Sequence, residues 1–163
     1  AYRRQRQMCI REATNLIWID SDQVLGRSSY YVQKMAAENR PTYNIRHNRS
    51  MNIDRNSDPI HIPNSIPLQF ISSGYDEETK EIIIKVVNAA DVPYSTSIKI
   101  EGVTKVNKKG SVITLSATSG KDENSFDDPE KIYPRQSEYN EFSKHFNYEF
   151  LPFSYTIFRI SAQ

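Results

Sequence analysis

The chain has 163 residues, 37% of them hydrophobic and 25% charged, which is enough for one domain with a true core and too few for two ordinary ones. Twenty-one Lys and Arg against 20 Asp and Glu leave a formal charge of +1, which excludes a global electrostatic pull toward nucleic acid. No stretch approaches the ~20 consecutive apolar residues of a membrane helix, and a single cysteine, Cys9, excludes an intramolecular disulfide and a Cys-rich metal site.

The N-terminal run with Arg3, Arg4, Arg6 and Arg11 reads as a solvated face, and no apolar core follows it, so no signal peptide is read there. Residues 1–40 have an α/β texture. Leu16-Ile17-Trp18-Ile19 is a short apolar run ending in Asp20, the pattern of a strand buried on both faces. Beyond Gly26, Ser28 or Ser29 can cap a helix whose apolar stripe is Tyr31, Met35 and Val32, Ala36, stopping near Asn39-Arg40-Pro41. One strand feeding one helix cannot bury its own faces and needs a partner. Residues 41–66 are polar and irregular, a connection with short strands expected around Ile45 and Ile60-His61-Ile62.

From residue 67 the period becomes that of strands. Leu68–Ser73 and Lys80–Asn88 flank the polar turn 74–79 and predict a hairpin. Tyr94, Thr96, Ile98 and Ile100 alternate with polar residues. Val112–Leu115 is expected to follow a turn at Asn107-Lys108-Lys109-Gly110. Phe146, Tyr148 and Phe150 mark a half-buried strand, and a last strand runs Phe153–Ser161. Short strands joined by polar turns, with no long helix between them, predict an all-β antiparallel sandwich preceded by a short strand–helix segment.

No complete active site is legible. A glycosidase needs two carboxylates facing each other across roughly 5–10 Å, whereas most carboxylates here sit in hydrophilic turns that would not raise a pKa. His47, His61 and His145 are scattered singly, so no zinc pair forms, and no nucleophile elbow, phosphate loop or dinucleotide fingerprint occurs. No metal and no cofactor are expected. The loop from Asp122 to Glu130 offers oxygen ligands without the spacing and glycine of a calcium loop. Trp18, Tyr75, Tyr94, Tyr133 and Tyr139 are candidate sugar-stacking rings, although aromatics at strand period more often belong to a core.

Two segments carry a resemblance. Leu16-Ile17-Trp18-Ile19-Asp20, Gly26 and Ser29-Tyr30-Tyr31-Val32-Gln33-Lys34-Met35 resemble the last strand and helix of the catalytic barrel in family 51 α-L-arabinofuranosidases, where L-I-W-F-D-N precedes S-Y-Y-V-Q-K-L-F. Residues 123–134, ENSFDDPEKIYP, are similar to that family's ENSFENPEKVVP, and 146–160 resemble its final strands. Leu25, Arg27 and Ser28 stand where the family has Tyr, Thr and Pro, and Ser21 where many members have Asn.

The resemblance implies a (β/α)₈ barrel joined to a C-terminal jelly-roll-like sandwich, in an enzyme that releases terminal arabinofuranose from polysaccharide with retention of configuration. Residues 1–40 would be the remnant of the last barrel unit, 41–66 a connection, and 67–163 the sandwich. Because the family's two catalytic glutamates lie upstream, this stretch would carry none, and Asn15 is the nearest match to a substrate-contacting residue. The implied partners are the parent's catalytic barrel and an arabinose-containing polysaccharide, with no nucleic acid and no membrane, in a secreted or periplasmic setting. Two alternatives stay open: a carbohydrate-binding or free-standing interaction module, and a homo-oligomer formed through residues 1–40.

Overall fold

A computed structural model describes residues 15–49 and 68–163. Cys9, the N-terminal arginines and the strand expected at Ile60–Ile62 lie outside the described residues. In chain order the elements are β1 (Ile17–Asp20), β2 (Gln23–Gly26), α1 (Ser28–Glu38), β3 (Tyr43–Asn44), β4 (Gln69–Asp76), β5 (Glu81–Asn88), β6 (Tyr94–Lys99), β7 (Val106–Ser116), β8 (Arg135–Tyr139), β9 (His145–Phe150) and β10 (Ser154–Ala162). They form an antiparallel six-stranded sheet in the order β3-β4-β5-β10-β7-β8, a two-stranded sheet β6-β9, and the β1-β2 hairpin.

The sequence of β5, EIIIKVVN, shows why the large sheet needs cover on both sides: its apolar side chains are consecutive and therefore point alternately to opposite faces. Ile82, Ile84 and Val86 join Phe158, Ile160 and Ala162 of β10 beneath β6-β9. Ile83 joins Tyr155 and Ile157 on the opposite face, against Met35 of α1. The first core is dominated by rings at edge-to-face geometry. Phe142 lies 5.6 Å from Phe158, and Tyr148 lies 4.8 Å from it. A fully buried phenylalanine of this kind contributes on the order of 2–3 kcal/mol.

The expected β4-β5 hairpin forms in the register Gln69↔Asn88 to Asp76↔Glu81, and Phe146, Tyr148 and Phe150 face inward along β9. The expected turn at 107–110 does not form. Those residues continue β7, with Gly110 opposite both Ile160 and Tyr139. A Cβ on Gly110 would lie 2.5 Å from the Arg159 carbonyl oxygen and 2.8 Å from the Phe142 ring. Glycine stands there for close approach between strands, not for a turn. The edge strand β8 has no apolar alternation, because four of its five residues are exposed.

The N-terminal segment also differs from expectation. β1 is not buried on both faces; it pairs with β2 in the register Ile17↔Gly26 to Asp20↔Gln23, with Ile17 42% and Ile19 72% exposed. The two-residue turn closes with Ser21 at a left-handed φ of 51°. Helix α1 spans the expected residues, but neither Ser28 nor Ser29 is its cap. Arg27 occupies that position and makes no side-chain capping bond. Of the apolar stripe, Met35 is buried and Tyr31 packs beside it, while Val32 is exposed.

Candidate functional site

The conspicuous polar construction is the junction between β2-α1 and the sandwich. Asn124, 4% exposed, is the centre of it. Its amide nitrogen donates to the carbonyl oxygens of Gly26 and Ile132, both at 3.0 Å, and its oxygen accepts from the Ile132 N–H at 2.7 Å. One side chain thus pins the loop 117–134 to itself and to the end of β2. Beside it, the Arg27 guanidinium pairs with Glu123 at 3.1 Å and lies 5.0 Å over the Trp18 ring. Leu25 is 1% exposed. Tyr31 meets Tyr133 edge-on at 5.0 Å, and burial together with the neighbouring Tyr133 and Glu130 pushes the Tyr31 hydroxyl pKa up.

The far end of the helix is tied as firmly. Lys85 donates to the Ala36 carbonyl at 3.1 Å, placing a cation at the negative end of the helix, and burial lowers its pKa. Asn39 donates to the Met35 carbonyl at 2.8 Å and accepts from Arg159 at 3.2 Å. Arg159 also binds Glu81 at 2.7 Å and reaches Asp76 at 3.5 Å. One guanidinium therefore joins β10, the β4-β5 turn and the helix end. The β2-α1 segment is thus tied to the sandwich at Gly26, at Met35 and at the helix end.

Several of the described carboxylates are occupied by structural tasks. Asp122 accepts from the Thr118 hydroxyl at 2.6 Å, from the Thr118 and Ser119 amides and from Lys131 at 3.0 Å. These donors, the Thr118 hydroxyl first, hold its pKa far below the usual carboxylate range. The Thr79 hydroxyl lowers the pKa of Asp76, and the Lys99 ammonium that of Glu101. Every described carboxyl with a perturbed pKa moves downward, the reverse of what a general acid requires. Among the described residues no three His, Cys, Asp or Glu side chains are gathered as a metal site would need.

Asn15 is exposed, two residues ahead of β1. The candidate stacking rings are mostly engaged: Tyr75, Tyr94 and Tyr139 pack against the first core, and Trp18 lies under Arg27. Tyr133, 39% exposed, presents the most open face of the five. The junction itself was not recognisable by residue chemistry. Only the run Glu123-Asn124-Ser125-Phe126 signalled it, and that through its resemblance.

The fold and the junction together define an antiparallel β-sandwich domain that carries a hairpin–helix unit locked to one face. The chain belongs to the α-L-arabinofuranosidase C-terminal domain family, whose model matches residues 6–154 and so runs across residues 40 and 66. The solved arabinose-bound MgGH51 α-L-arabinofuranosidase is similar with a TM-score of 0.78 and 18% identity over 93% of this chain and 22% of its own. The thermostable GH51 α-L-arabinofuranosidase of Thermotoga petrophila RKU-1 gives 0.68 and 20%, over 89% of this chain and 31% of its own. The arabinose complex of the Thermotoga maritima α-L-arabinofuranosidase gives 0.66 and 18% over the same shares. At these identities the likeness is one of fold. The chain spans between about a fifth and a third of the length of these structures. No curated protein matches it.

Proposed function

We propose that this chain is the non-catalytic C-terminal domain of a retaining α-L-arabinofuranosidase that hydrolyses terminal arabinofuranosyl residues of plant polysaccharides. Its task is mechanical. The sandwich holds the β1-β2-α1 unit in one orientation and thereby supports the catalytic barrel that precedes it. The observation that carries this reading is the fixation of the β2-α1 segment at three points, by Asn124 on Gly26, by Met35 packed among Ile83, Tyr155 and Ile157, and by Lys85 and Arg159 on the helix end, built at the cost of burying a polar amide. A segment needing only a tether would not require it. The downward-shifted carboxyls agree, since none of them has the raised pKa of a general acid.

Within this reading the polysaccharide is met by the barrel, and a parent acting on plant polymers works outside the cytoplasm. The test is to express the intact polypeptide and follow hydrolysis of 4-nitrophenyl α-L-arabinofuranoside by proton NMR. Initial release of the α anomer supports the proposal. Initial release of the β anomer overturns the retaining mechanism, and no hydrolysis overturns the substrate assignment.

A further inference from the structure

The segment that follows α1 runs along the outer edge of the large sheet, where β3 is the end strand. Its register on β4 sets Tyr43 opposite Tyr75 and Asn44 opposite Gly74. Two contacts continue that register. The Ile45 N–H donates to the Ser73 carbonyl at 2.9 Å. The Arg49 guanidinium donates to the Gln69 carbonyl at 2.8 Å and to the Gln69 side-chain oxygen at 3.1 Å. Counted between these clips, Asn48 falls opposite Phe70, and paired positions on neighbouring chains share a face. Asn48 is exposed, and Phe70 is 47% exposed.

Asn48 also opens the triplet Asn48-Arg49-Ser50. Of all the asparagines in the chain, it alone has a Ser or Thr two residues further on. Asn39, Asn88 and Asn124, which are buried and hydrogen-bonded, lack that pattern. Asn-x-Ser with x other than proline is the acceptor triplet for N-linked sugar, and it is used on exposed chain in exported proteins. We infer that Asn48 carries an N-linked oligosaccharide. This rests on the proposed function, which sets the parent outside the cytoplasm. The donor class is an oligosaccharide held on a lipid diphosphate. The Asn48 amide nitrogen forms a bond to the anomeric carbon, and the bond from that carbon to the diphosphate oxygen breaks. The lipid diphosphate leaves with the electron pair, and one amide proton is released. Folding and sugar do not compete, because the Arg49 clip holds the segment on β4 while the Asn48 side chain stays in solvent. A bulky hydrophilic group here stands along a sheet edge that only the two-residue β3 covers, and keeps that edge from pairing with another chain.

The test purifies the intact protein from the organism that makes it and treats it with peptide N-glycosidase F in heavy-oxygen water. That enzyme converts a glycosylated asparagine to labelled aspartate, which mass spectrometry reads at position 48. Label there in most of the protein supports the inference, and an unmodified Asn48 overturns it. In a secreting yeast that produces the intact polypeptide, Ser50→Ala should abolish the label and Ser50→Thr should retain it. Label that persists in Ser50→Ala overturns the triplet as the signal. Arabinofuranosidase activity is read on the same samples. Activity with an unmodified Asn48 sinks this inference and leaves the proposed function standing, whereas a labelled Asn48 without activity does the reverse.

Discussion

Replacing Asn124 with alanine removes three hydrogen bonds in a place that water does not reach. The Ile132 N–H loses the acceptor at 2.7 Å and stays buried, since Ile132 is itself 4% exposed. An orphaned buried donor costs roughly 1–3 kcal/mol, and each carbonyl that loses its donor about 0.5–1.5 kcal/mol. For Gly26 and Ile132 as acceptors and Ile132 as donor the loss comes to about 4 kcal/mol. In a domain of this size that is a fall in Tm of roughly 8–16 °C. Urea unfolding followed by circular dichroism measures it, with Ser125→Ala, at an exposed neighbour, as the control. Hydrogen exchange should further show Leu25–Met35 opening more readily in Asn124→Ala than in the control. A loss below about 1 kcal/mol, or one equal to that of the control, would refute the view that this amide locks the hairpin–helix unit.

Three further outcomes follow from the same contacts. Gly110→Ala places a methyl 2.5 Å from a backbone oxygen of the neighbouring strand, and should lower stability by about 1–3 kcal/mol in the same urea assay. Phe158→Ala empties the centre of the aromatic core and should cost about 3–5 kcal/mol, with the far-ultraviolet spectrum retained in the folded fraction. Asp122 and Asp76 have folded pKa values depressed below their unfolded ones, so the stability they add is complete above about pH 4 and is lost as pH falls toward the folded values. Asp122→Asn should therefore flatten the acid limb of stability against pH below about pH 4, while leaving its shape near neutrality unchanged.

The strand content was legible wherever one face was wet. Tyr94–Lys99 and His145–Phe150 alternate because one side of each meets solvent, and both strands lie where the period places them. The helix end at Asn39 was equally readable, since Pro41 forbids continuation. Three features were hidden for physical reasons. β8 is an edge strand with polar side chains, and its only signature is the backbone ladder to β7. Asn107–Gly110 has turn composition, yet the same glycine serves a close strand approach. The short apolar run Leu16–Ile19 resembles a strand buried on both faces, but its outer residues are open in the described chain.

The site was less legible than the fold. Asn124 is one asparagine among many, and only the 98-residue reach from its side chain to Gly26 shows its role. Asn15, the residue picked out by resemblance, is exposed two residues ahead of β1. The aromatic candidates show how period misleads: Tyr94 and Tyr139 sit at strand spacing because they fill the core, stacked on Phe150 at 6.2 Å and edge-on to Phe142 at 4.6 Å.

Comparing the 163-residue chain with the intact polypeptide on an aryl α-L-arabinofuranoside tests the central claim most directly. The account predicts hydrolysis by the intact polypeptide, none by the isolated chain, and unchanged chemistry in the intact protein when Glu149 or Glu138 is replaced by glutamine. Turnover by the isolated chain, abolished by replacing one of its own carboxylates, would contradict it.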